Sequence, residues 1–292
     1  MSDLLDQSYE ECRRLNALHG KTYYLATLIL PKVKRRHVHA LYGFARFADE
    51  IVDDLESTLS EEEKAQALTQ WGASIISDLR KGSSEDLIGR ALVNTVNEYK
   101  IPISYFEAFM ESMAMDLTVT RYHNYEELKK YMYGSAVVIG LEMLPILGYS
   151  DERAIEAAAA LGEAFQLANF IRDIAEDLER GRIYMPLDEL AQFGIIESDL
   201  AARTMTPALV EAIKFQITRV RQLQAVADAG IQYLDPISQP SIRAASELYC
   251  GIVDEVEANG YDIFAKRATT STARRLRVAA IAVIQTLFAR LR

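Results

Sequence analysis

Two pairs of aspartates could carry chemistry in this chain, because each pair is spaced by four residues and ends an apolar segment. Asp49 and Asp53 follow "FARFA", and Asp173 and Asp177 follow "NFIR". In an α-helix, side chains at i and i+4 differ by only about 40° around the axis, so both carboxylates of a pair point the same way. Such like charges repel by about 0.2–0.5 kcal/mol unless a cation lies between them. One pair alone is typical of a solvated helix end, but two pairs on apolar helices indicate a shared cation site.

The cation that best suits this pattern is Mg²⁺. Mg²⁺ prefers one or two carboxylates together with waters and substrate phosphates, so the site would also need a phosphorylated ligand. A zinc site is disfavoured because the histidines form no spaced cluster and the two cysteines are far apart, and a di-iron site because Glu-x-x-His pairs are absent. Two of the histidines, His37 and His39, lie in a basic stretch, where we expect them at the surface. The residues concerned are His19, His37, His39, His123, Cys12 and Cys250.

Polar residues accompany both aspartate pairs. Gln166 and Asn169 precede Asp173 and Asp177 at steps of three and four residues, which makes a polar stripe along an otherwise apolar helix. A buried polar stripe usually contacts a ligand. By contrast, Glu50 points about 100° away from Asp49 and is expected in solvent.

Two arginines lie next to the same acids. Arg46 precedes Asp49 by three residues on one helix face, and Arg172 directly precedes Asp173. A guanidinium group can hold phosphate oxygens in a two-pronged hydrogen bond. The alternative is that each arginine simply pairs with the neighbouring acids.

The elements that must position these residues are helices. Between residues 31 and 55, apolar side chains recur at three- and four-residue steps, as one buried helix face requires. The same period predicts helices over 60–80, 85–99, 104–120, 125–147, 152–180, 207–234, 240–260 and 272–290, and Ser60 with Glu63 predicts a capping box. With 14 glycines and 7 prolines, breaks are few. We therefore expect one all-α domain of about ten helices over residues 1–292.

Composition narrows the class of partner. A formal charge of −10 argues against nucleic acid, because no positive field replaces the counterions of phosphate. The start of the chain has no signal-peptide pattern, and two cysteines suit a reducing cytoplasm. The late apolar run 278–289 is shorter than the roughly 20 residues that span a bilayer. These observations favour a cytoplasmic protein.

The end of the chain has its own charge pattern. Residues 266–292 contain seven lysines or arginines and no acid, and they read as a cationic amphipathic helix. Such a helix can dock on anionic lipid at the inner face of a membrane. The alternative is a helix packed on the domain with its bases in water.

Four segments together resemble the squalene/phytoene synthase family, which joins two isoprenoid diphosphates head to head. They are "FARFADEIVDD", "NFIRDIAEDLERGRIYMP", "HGKTYYLATLILP" (19–31) and "YMYGSAVVIGLEMLPILG" (131–148), which span nearly the whole chain. The resemblance implies an all-α isoprenoid-synthase fold around a deep apolar cavity. Its mouth would carry both aspartate motifs, bridged to the diphosphates by Mg²⁺, with Mn²⁺ as an alternative.

The resemblance also implies roles for individual residues. The metal ligands would be Asp49, Asp53, Asn169, Asp173 and Asp177. The four aspartates would act in catalysis together with Tyr131, which opens the central motif, and Arg172. Substrate contacts would come from Lys21, Thr22, Arg46, Gln166, Asn169, Tyr249 and Arg267, although Gly20 and Thr22 stand where the family often has serine.

After the diphosphate leaves, an allylic cation needs apolar and aromatic walls. Each candidate wall residue has ordinary core packing as its alternative. The candidates are Tyr23, Tyr24, Phe44, Tyr131, Val137, Val138, Leu141, Leu144, Phe165 and Tyr249.

Within the family, "YGFARFADEIVDDL" and "YGSAVVIGLEMLPILG" look most like bacterial phytoene synthases. Those enzymes join two C20 geranylgeranyl diphosphates through a cyclopropyl diphosphate and lose a proton, the first committed step of carotenoid formation, so no NADPH is expected. The nearest alternative uses C15 farnesyl diphosphate to make squalene, dehydrosqualene or hydroxysqualene. A non-catalytic helical assembly factor is the remaining alternative. It predicts a broken aspartate set, whereas all four aspartates are present.

Overall fold

The computed structural model describes the backbone of residues 2–53 and 60–290, apart from the side chains of 2, 21, 22, 52, 53, 61 and 290. Within these ranges the chain is all-α, as predicted, and its only β pairings are two isolated bridges. The helices are α1 Ser2–His19, α2 Lys21–Thr27, α3 Lys32–Asp53, α4 Glu61–Lys81, α5 Leu87–Tyr99, α6 Ile103–Met115, α7 Tyr125–Met132, α8 Val138–Leu147, α9 Arg153–Glu179, α10 Leu187–Gln192, α11 Glu197–Ala201, α12 Pro207–Gly230, α13 Gln239–Cys250, α14 Ile252–Ala258 and α15 Thr272–Arg290. A π-helix, Tyr133–Val137, joins α7 to α8, and a 3₁₀ turn, Ile231–Tyr233, follows α12.

The long predicted helices are present, and the differences have physical causes. Ser60 and Glu63 form the expected capping box at the start of α4. The prediction of about ten helices was too low, because α1, α2, α10 and α11 were not recognised. In addition, 125–147 divides into α7 and α8 at the π-helix, and 240–260 divides at Gly251. In α1, two of the buried residues, Ser8 and Asn16, are polar. A buried face of mixed polarity gives a weak apolar period.

The prediction that His37 and His39 lie at the surface was wrong. Both side chains are buried, and each finds a polar partner on a neighbouring helix. His37 Nδ1 lies 3.0 Å from Thr95 Oγ1, and His39 Nδ1 lies 2.9 Å from Asn16 Nδ2. Burial lowers the pKa of each imidazole to about 4. Both histidines are therefore neutral structural groups.

A π-helix between α6 and α9 shapes the centre of the fold. A side chain at Gly134 would bring its Cβ within 2.1 Å of the Ala108 carbonyl on α6, and one at Gly162 would come within 2.6 Å of the Ala136 carbonyl. Ser112 on α6 donates a 2.9 Å hydrogen bond to the Tyr131 carbonyl at the start of this turn. This close packing holds the π-helix tightly against α6 and α9. Such π-turns commonly occur at functional sites.

Two clusters of buried apolar side chains form the core. The first draws mainly on α1, α3, α4, α5, α6 and α8, and the second mainly on α7, α9, α12 and α14. Helix α9 packs against α8, α12, α13, α14 and the π-helix, so it is the central element. No described helix is both long and apolar enough to cross a membrane.

Candidate active site

A polar mouth and an apolar chamber lie side by side and share part of their lining. The mouth is lined from α3 by Tyr42, Arg46 and Asp49, and from α9 by residues of the polar stripe from Gln166 to Asp177. The structure therefore brings the two aspartate-bearing helix ends to the same cavity, as the sequence predicted. The side chain of Asp53 is outside the described residues, as is the whole of Asp54.

Arginines neutralise the acids of the mouth. Arg46 Nη1 lies 2.8 Å from Asp49 Oδ2, and its Nε donates to Glu50 Oε1 at 3.1 Å. Arg172 makes a two-pronged contact with Asp173 at 2.7 and 2.5 Å. The alternative of pairing with neighbouring acids thus holds for both arginines. Because the guanidinium groups line the same mouth, they remain within reach of a phosphate that enters it.

Arg267 adds a contact from the distant segment between α14 and α15. Its Nε lies 2.7 Å from Asp173 Oδ1 and 3.3 Å from Glu176 Oε1. The structure thus places this predicted substrate contact at the mouth, next to the second aspartate motif.

The two acids of the α9 pair differ in proton affinity. Burial acts to raise the pKa of Asp173, but hydrogen bonds from Arg172 and Arg267 outweigh burial and the net shift is downward. Burial and the neighbouring charge of Asp173 raise the pKa of Asp177 to about 7. A cation bound between them would favour the charged form of Asp177.

The donor set fits a cation that is held jointly by protein and ligand. In the described part of the chain, no three acidic, histidine or cysteine side chains stand close enough to hold a metal alone. Carboxylate oxygens spaced by one helix turn suit a hard cation such as Mg²⁺, which takes only one or two of them when phosphates complete its shell.

Position 20 explains one departure from the family pattern. Gly20 borders the mouth, and a Cβ there would lie 2.7 Å from Asn16 Oδ1 and 2.8 Å from the Tyr42 ring. A larger residue here would therefore displace the Asn16 amide or the Tyr42 ring. Lys21 and Thr22 begin α2 directly afterwards, but their side chains are outside the described residues.

A neck connects the mouth to the chamber. We define the neck as the residues that line both spaces, namely Ser135, Ile139, Gln166, Asn169 and Tyr249. The Oγ of Ser135 and the Oδ1 of Asn169 are shielded from water and have no hydrogen-bond partner among the described residues. An unpaired buried polar atom costs about 1–3 kcal/mol. A polar ligand that formed hydrogen bonds with these two atoms would remove that cost, so the neck favours such a ligand.

Behind the neck lies an apolar chamber with a cavity volume of about 210 Å³. The candidate wall residues that line it are Tyr23, Leu144, Phe165 and Tyr249, whereas Tyr131 lines the mouth.

The remaining wall candidates do not line either space. Phe44 packs within an aromatic cluster with Trp71, Phe106 and Phe109, and Tyr24 stacks on His39. Val137, Val138 and Leu141 are buried in the protein interior. Their helical period placed them inside correctly, but period alone does not distinguish a cavity wall from a packed core.

The structure also places three residues at the mouth that the sequence did not single out. Tyr131 donates a 2.8 Å hydrogen bond to Asp116 Oδ2, and Tyr184 donates a 3.2 Å bond to Asp116 Oδ1. Arg182 donates to the backbone carbonyl of Asp116 at 2.9 Å. Tyr184 lies in the "RIYMP" segment, which carried part of the resemblance, whereas Asp116 is a lone acid without a recognisable pattern.

Comparison with known proteins agrees with this geometry. Residues 17–275 match the family described as squalene/phytoene synthase. The chain is 37% identical over 290 residues to phytoene synthase 2, chloroplastic, of Solanum lycopersicum, covering 97% of this chain and 92% of that protein. It is 36% identical over 279 residues to phytoene synthase 1, chloroplastic, of Arabidopsis thaliana, covering 94% of this chain but 65% of the plant protein.

Solved structures show the same fold. A dehydrosqualene synthase superposes with a TM-score of 0.87 at 23% identity, covering 95% of this chain and 96% of that one. The squalene synthase HpnC from Alicyclobacillus acidocaldarius superposes with a TM-score of 0.81 at 26% identity, covering 88% of this chain and 96% of that one.

Proposed function

Because the chain belongs to the squalene/phytoene synthase family, we propose that it is a phytoene synthase, a prenyltransferase that condenses two geranylgeranyl diphosphates head to head through a cyclopropyl diphosphate intermediate. The observation that carries this proposal is a charged mouth and an apolar chamber that lie side by side and share the residues of the neck. Such a space suits a diphosphate with a long hydrocarbon tail. The identity to phytoene synthases, 36–38% over most of this chain, favours phytoene as the product.

The charged side chains of the mouth bind and orient the diphosphates. Arg46, Arg172 and Arg267 hold motif acids in the ligand-free protein, and they exchange those acids for phosphate oxygens when the substrates enter. Guanidinium groups suit this exchange because they match carboxylate and phosphate geometry equally well. Lys21 and Thr22 add contacts to the first diphosphate.

The chemistry begins when the bond between C1 and the diphosphate oxygen breaks and its electron pair leaves on that oxygen. Asp49, Asp53, Asn169, Asp173 and Asp177 would hold Mg²⁺, or Mn²⁺ in its place, and the positive charge of the metal would make diphosphate a good leaving group. The apolar chamber excludes water from the allylic cation, and the rings of Tyr23, Phe165 and Tyr249 offer it their electron-rich faces. Loss of a proton at the end needs no NADPH.

The experiment that tests this function is product analysis by mass. The protein is incubated with C15 and C20 prenyl diphosphates and Mg²⁺, with and without NADPH. We expect a C40 hydrocarbon from the C20 substrate in both conditions. Absence of that C40 hydrocarbon contradicts the assignment, and a C30 product from the C15 substrate alone identifies the farnesyl-using alternative.

We further propose that this protein is cytoplasmic and contacts the inner face of the membrane through the outer face of α15. The basic side chains that suggested membrane contact are largely engaged by the protein, because Arg274 pairs with Asp254 and Arg277 with Glu247. The outward face is instead apolar. Its exposed large apolar residues recur at helical spacing and are Leu276, Ile281, Val283, Ile284, Leu287 and Phe288, which we call the α15 stripe.

The inner face of α15 packs Val278 and Ala282 against Ala244 and Leu248 of α13. The α15 stripe therefore has no role in holding the helix on the protein. Exposed apolar residues of this size on a helix suit insertion among lipid headgroups, and the hydrocarbon product needs a lipid phase to enter.

A further inference from the structure

We propose that Asp116 is a positioning residue, which directs the hydroxyl hydrogens of Tyr131 and Tyr184 away from the substrate so that both phenol oxygens face it with their lone pairs. This inference rests on the proposed prenyltransferase function. It concerns the same mouth, but it assigns a role to a carboxyl group that is not part of either aspartate motif.

The geometry joins three separate parts of the chain. Asp116 is the C-cap residue directly after α6, Tyr131 lies near the end of α7, and Tyr184 lies between α9 and α10. Each oxygen of Asp116 accepts one phenol hydrogen, at 2.8 Å from Tyr131 and 3.2 Å from Tyr184. The 2.9 Å bond from Arg182 to the Asp116 carbonyl holds the backbone that carries this carboxyl group. All four residues line the mouth.

The rings themselves have little freedom to turn. Tyr184 stacks on Phe170 with ring centres 4.1 Å apart and planes 8° apart, and Tyr131 packs 5.8 Å from Tyr184. The direction of each hydroxyl hydrogen is therefore the remaining freedom, and Asp116 removes it.

The consequence is electrostatic. An ionised carboxyl group can only accept hydrogen bonds, and a phenol has a single hydrogen to donate. Once both hydrogens are engaged by Asp116, neither tyrosine can donate to the diphosphate, and each can offer a ligand only the negative end of its O–H dipole. Burial, reinforced by the charge of Asp116, raises the pKa of both phenols, so both keep their hydrogens.

Fixed dipoles of this sign favour positive charge that develops when the diphosphate leaves. Because they are already oriented, they need no reorganisation during the reaction. If the hydrogens turned toward the mouth, the same two hydroxyls would instead oppose the cation.

The test is an Asp116→Asn variant. Asparagine keeps the shape but offers one acceptor and one donor, so one of the two phenols must reverse its hydrogen. We expect kcat for pyrophosphate release to fall about tenfold or more while KM stays within about twofold, as for an interaction made only in the transition state. The substrate is whichever prenyl diphosphate the wild-type protein accepts, so a chain-length preference for C15 leaves the inference intact.

A mutant cycle shows whether Asp116 acts through the tyrosines. In a Tyr131→Phe, Tyr184→Phe background, Asp116→Asn should cause no further loss of kcat. Tyr122→Phe is the matched control, since Tyr122 packs 5.5 Å from Tyr131 but its buried hydroxyl has no partner among the described residues. That control should keep wild-type kcat, and Asp116→Asn should retain its full effect in the Tyr122→Phe background.

Two results would overturn the inference: a wild-type kcat in Asp116→Asn, or an undiminished loss in the double phenylalanine background. If Asp116→Asn does not fold, as judged by thermal melting, the single Tyr131→Phe and Tyr184→Phe variants decide. Each should lose kcat at constant KM where Tyr122→Phe does not, and equal behaviour of all three contradicts the role. If the wild type releases no pyrophosphate from either substrate, the proposed function itself fails.

Discussion

At the scale of single residues, the acids of the mouth differ in what they can contribute. Asp177 lies on the polar stripe of α9 and lines the mouth, whereas Glu50 contacts Arg46 and lies 3.6 Å from His19 Nε2. We predict that Asp177→Asn lowers kcat for diphosphate release by about 100-fold, because it removes a carboxylate that would hold the Mg²⁺ needed to neutralise the leaving diphosphate. The matched change Glu50→Gln should stay within about threefold of wild type.

The measurement is single-turnover release of pyrophosphate at saturating Mg²⁺, repeated for Asp53→Asn. Chelation of Mg²⁺ by EDTA should abolish release from the wild type, and added Mg²⁺ should restore it. An Asp177→Asn or Asp53→Asn variant that ionises the substrate as fast as wild type would contradict the metal-binding role.

Two serines make a matched pair for stability, because each has a buried hydroxyl oxygen and they lie in or beside the π-helix. Ser135 Oγ has no partner among the described residues, whereas Ser112 Oγ donates to the Tyr131 carbonyl. Replacing an unpaired buried hydroxyl by a methyl group removes a desolvation cost, but removing a paired hydroxyl leaves the carbonyl unsatisfied. We therefore predict that Ser135→Ala raises the unfolding free energy of the ligand-free protein by about 1 kcal/mol and that Ser112→Ala lowers it by a similar amount.

Denaturant unfolding of the two variants measures both effects. Ser135→Ala should also weaken binding of inorganic pyrophosphate in the presence of Mg²⁺, because the neck loses a polar group that a ligand can satisfy. A Ser135→Ala protein that is less stable than wild type would show that the hydroxyl is satisfied internally.

At the scale of elements, the sequence predicts side-chain spacing within one helix, but it does not predict contacts between helices. The pairs Asp49 with Asp53 and Asp173 with Asp177 were recognisable because their spacing matches the helical period of α3 and α9. Asp116 was not, because its bonds reach two segments that are distant in sequence. The π-helix was also hidden, since its cause is the close contact of Gly134 with α6 rather than a local pattern.

In α15, the charge of the sequence indicated a basic membrane-binding surface, but the structure shows a largely apolar one. Arg277 is one of seven bases in the last segment, yet it pairs with Glu247, so the outward surface of α15 is dominated by its apolar stripe. We predict that changing Ile284 and Phe288 to serine reduces binding to neutral phosphatidylcholine vesicles at least about fivefold, because buried apolar area drives the contact. The matched change Arg277→Gln on the same helix should alter binding by less than about twofold.

Vesicle co-sedimentation at low and high salt makes the comparison. Binding driven by the α15 stripe should persist at high salt, where electrostatic attraction is screened. If binding disappears at high salt, or if changing Ile284 and Phe288 to serine leaves it unchanged, the basic residues rather than the α15 stripe make the membrane contact.

At the scale of the whole molecule, different helices form different parts of the site. Helices α3 and α9 carry the acids, the π-helix and α8 shape the neck and chamber, and α12 and α13 close the far wall. The family resemblance predicted an apolar cavity with both aspartate motifs at its mouth. It did not predict the π-helix, the contribution of α12 and α13, or the internal polar network that braces α1 against α3 and α5. That network depends on His37, His39 and their partners. It was not predicted, because both histidines were expected at the surface.

The two buried histidines should make the fold sensitive to mild acid. The pKa of each is about 4 in the folded protein and about 6.5 when unfolded, so between these values the unfolded chain binds more protons. The contribution is fully present above about pH 6.5 and is lost as the pH falls toward 4, by at most about 1.4 kcal/mol per pH unit for each histidine.

Denaturant unfolding between pH 7 and pH 4.5 measures this slope. His39→Gln should reduce the slope while lowering stability at pH 7, because the contact with Asn16 is lost, whereas His123→Gln at an exposed position should leave the slope unchanged. If His39→Gln and wild type lose stability in parallel as the pH falls, protonation of His39 is not coupled to unfolding, and the buried carboxyl groups must account for the acid sensitivity instead.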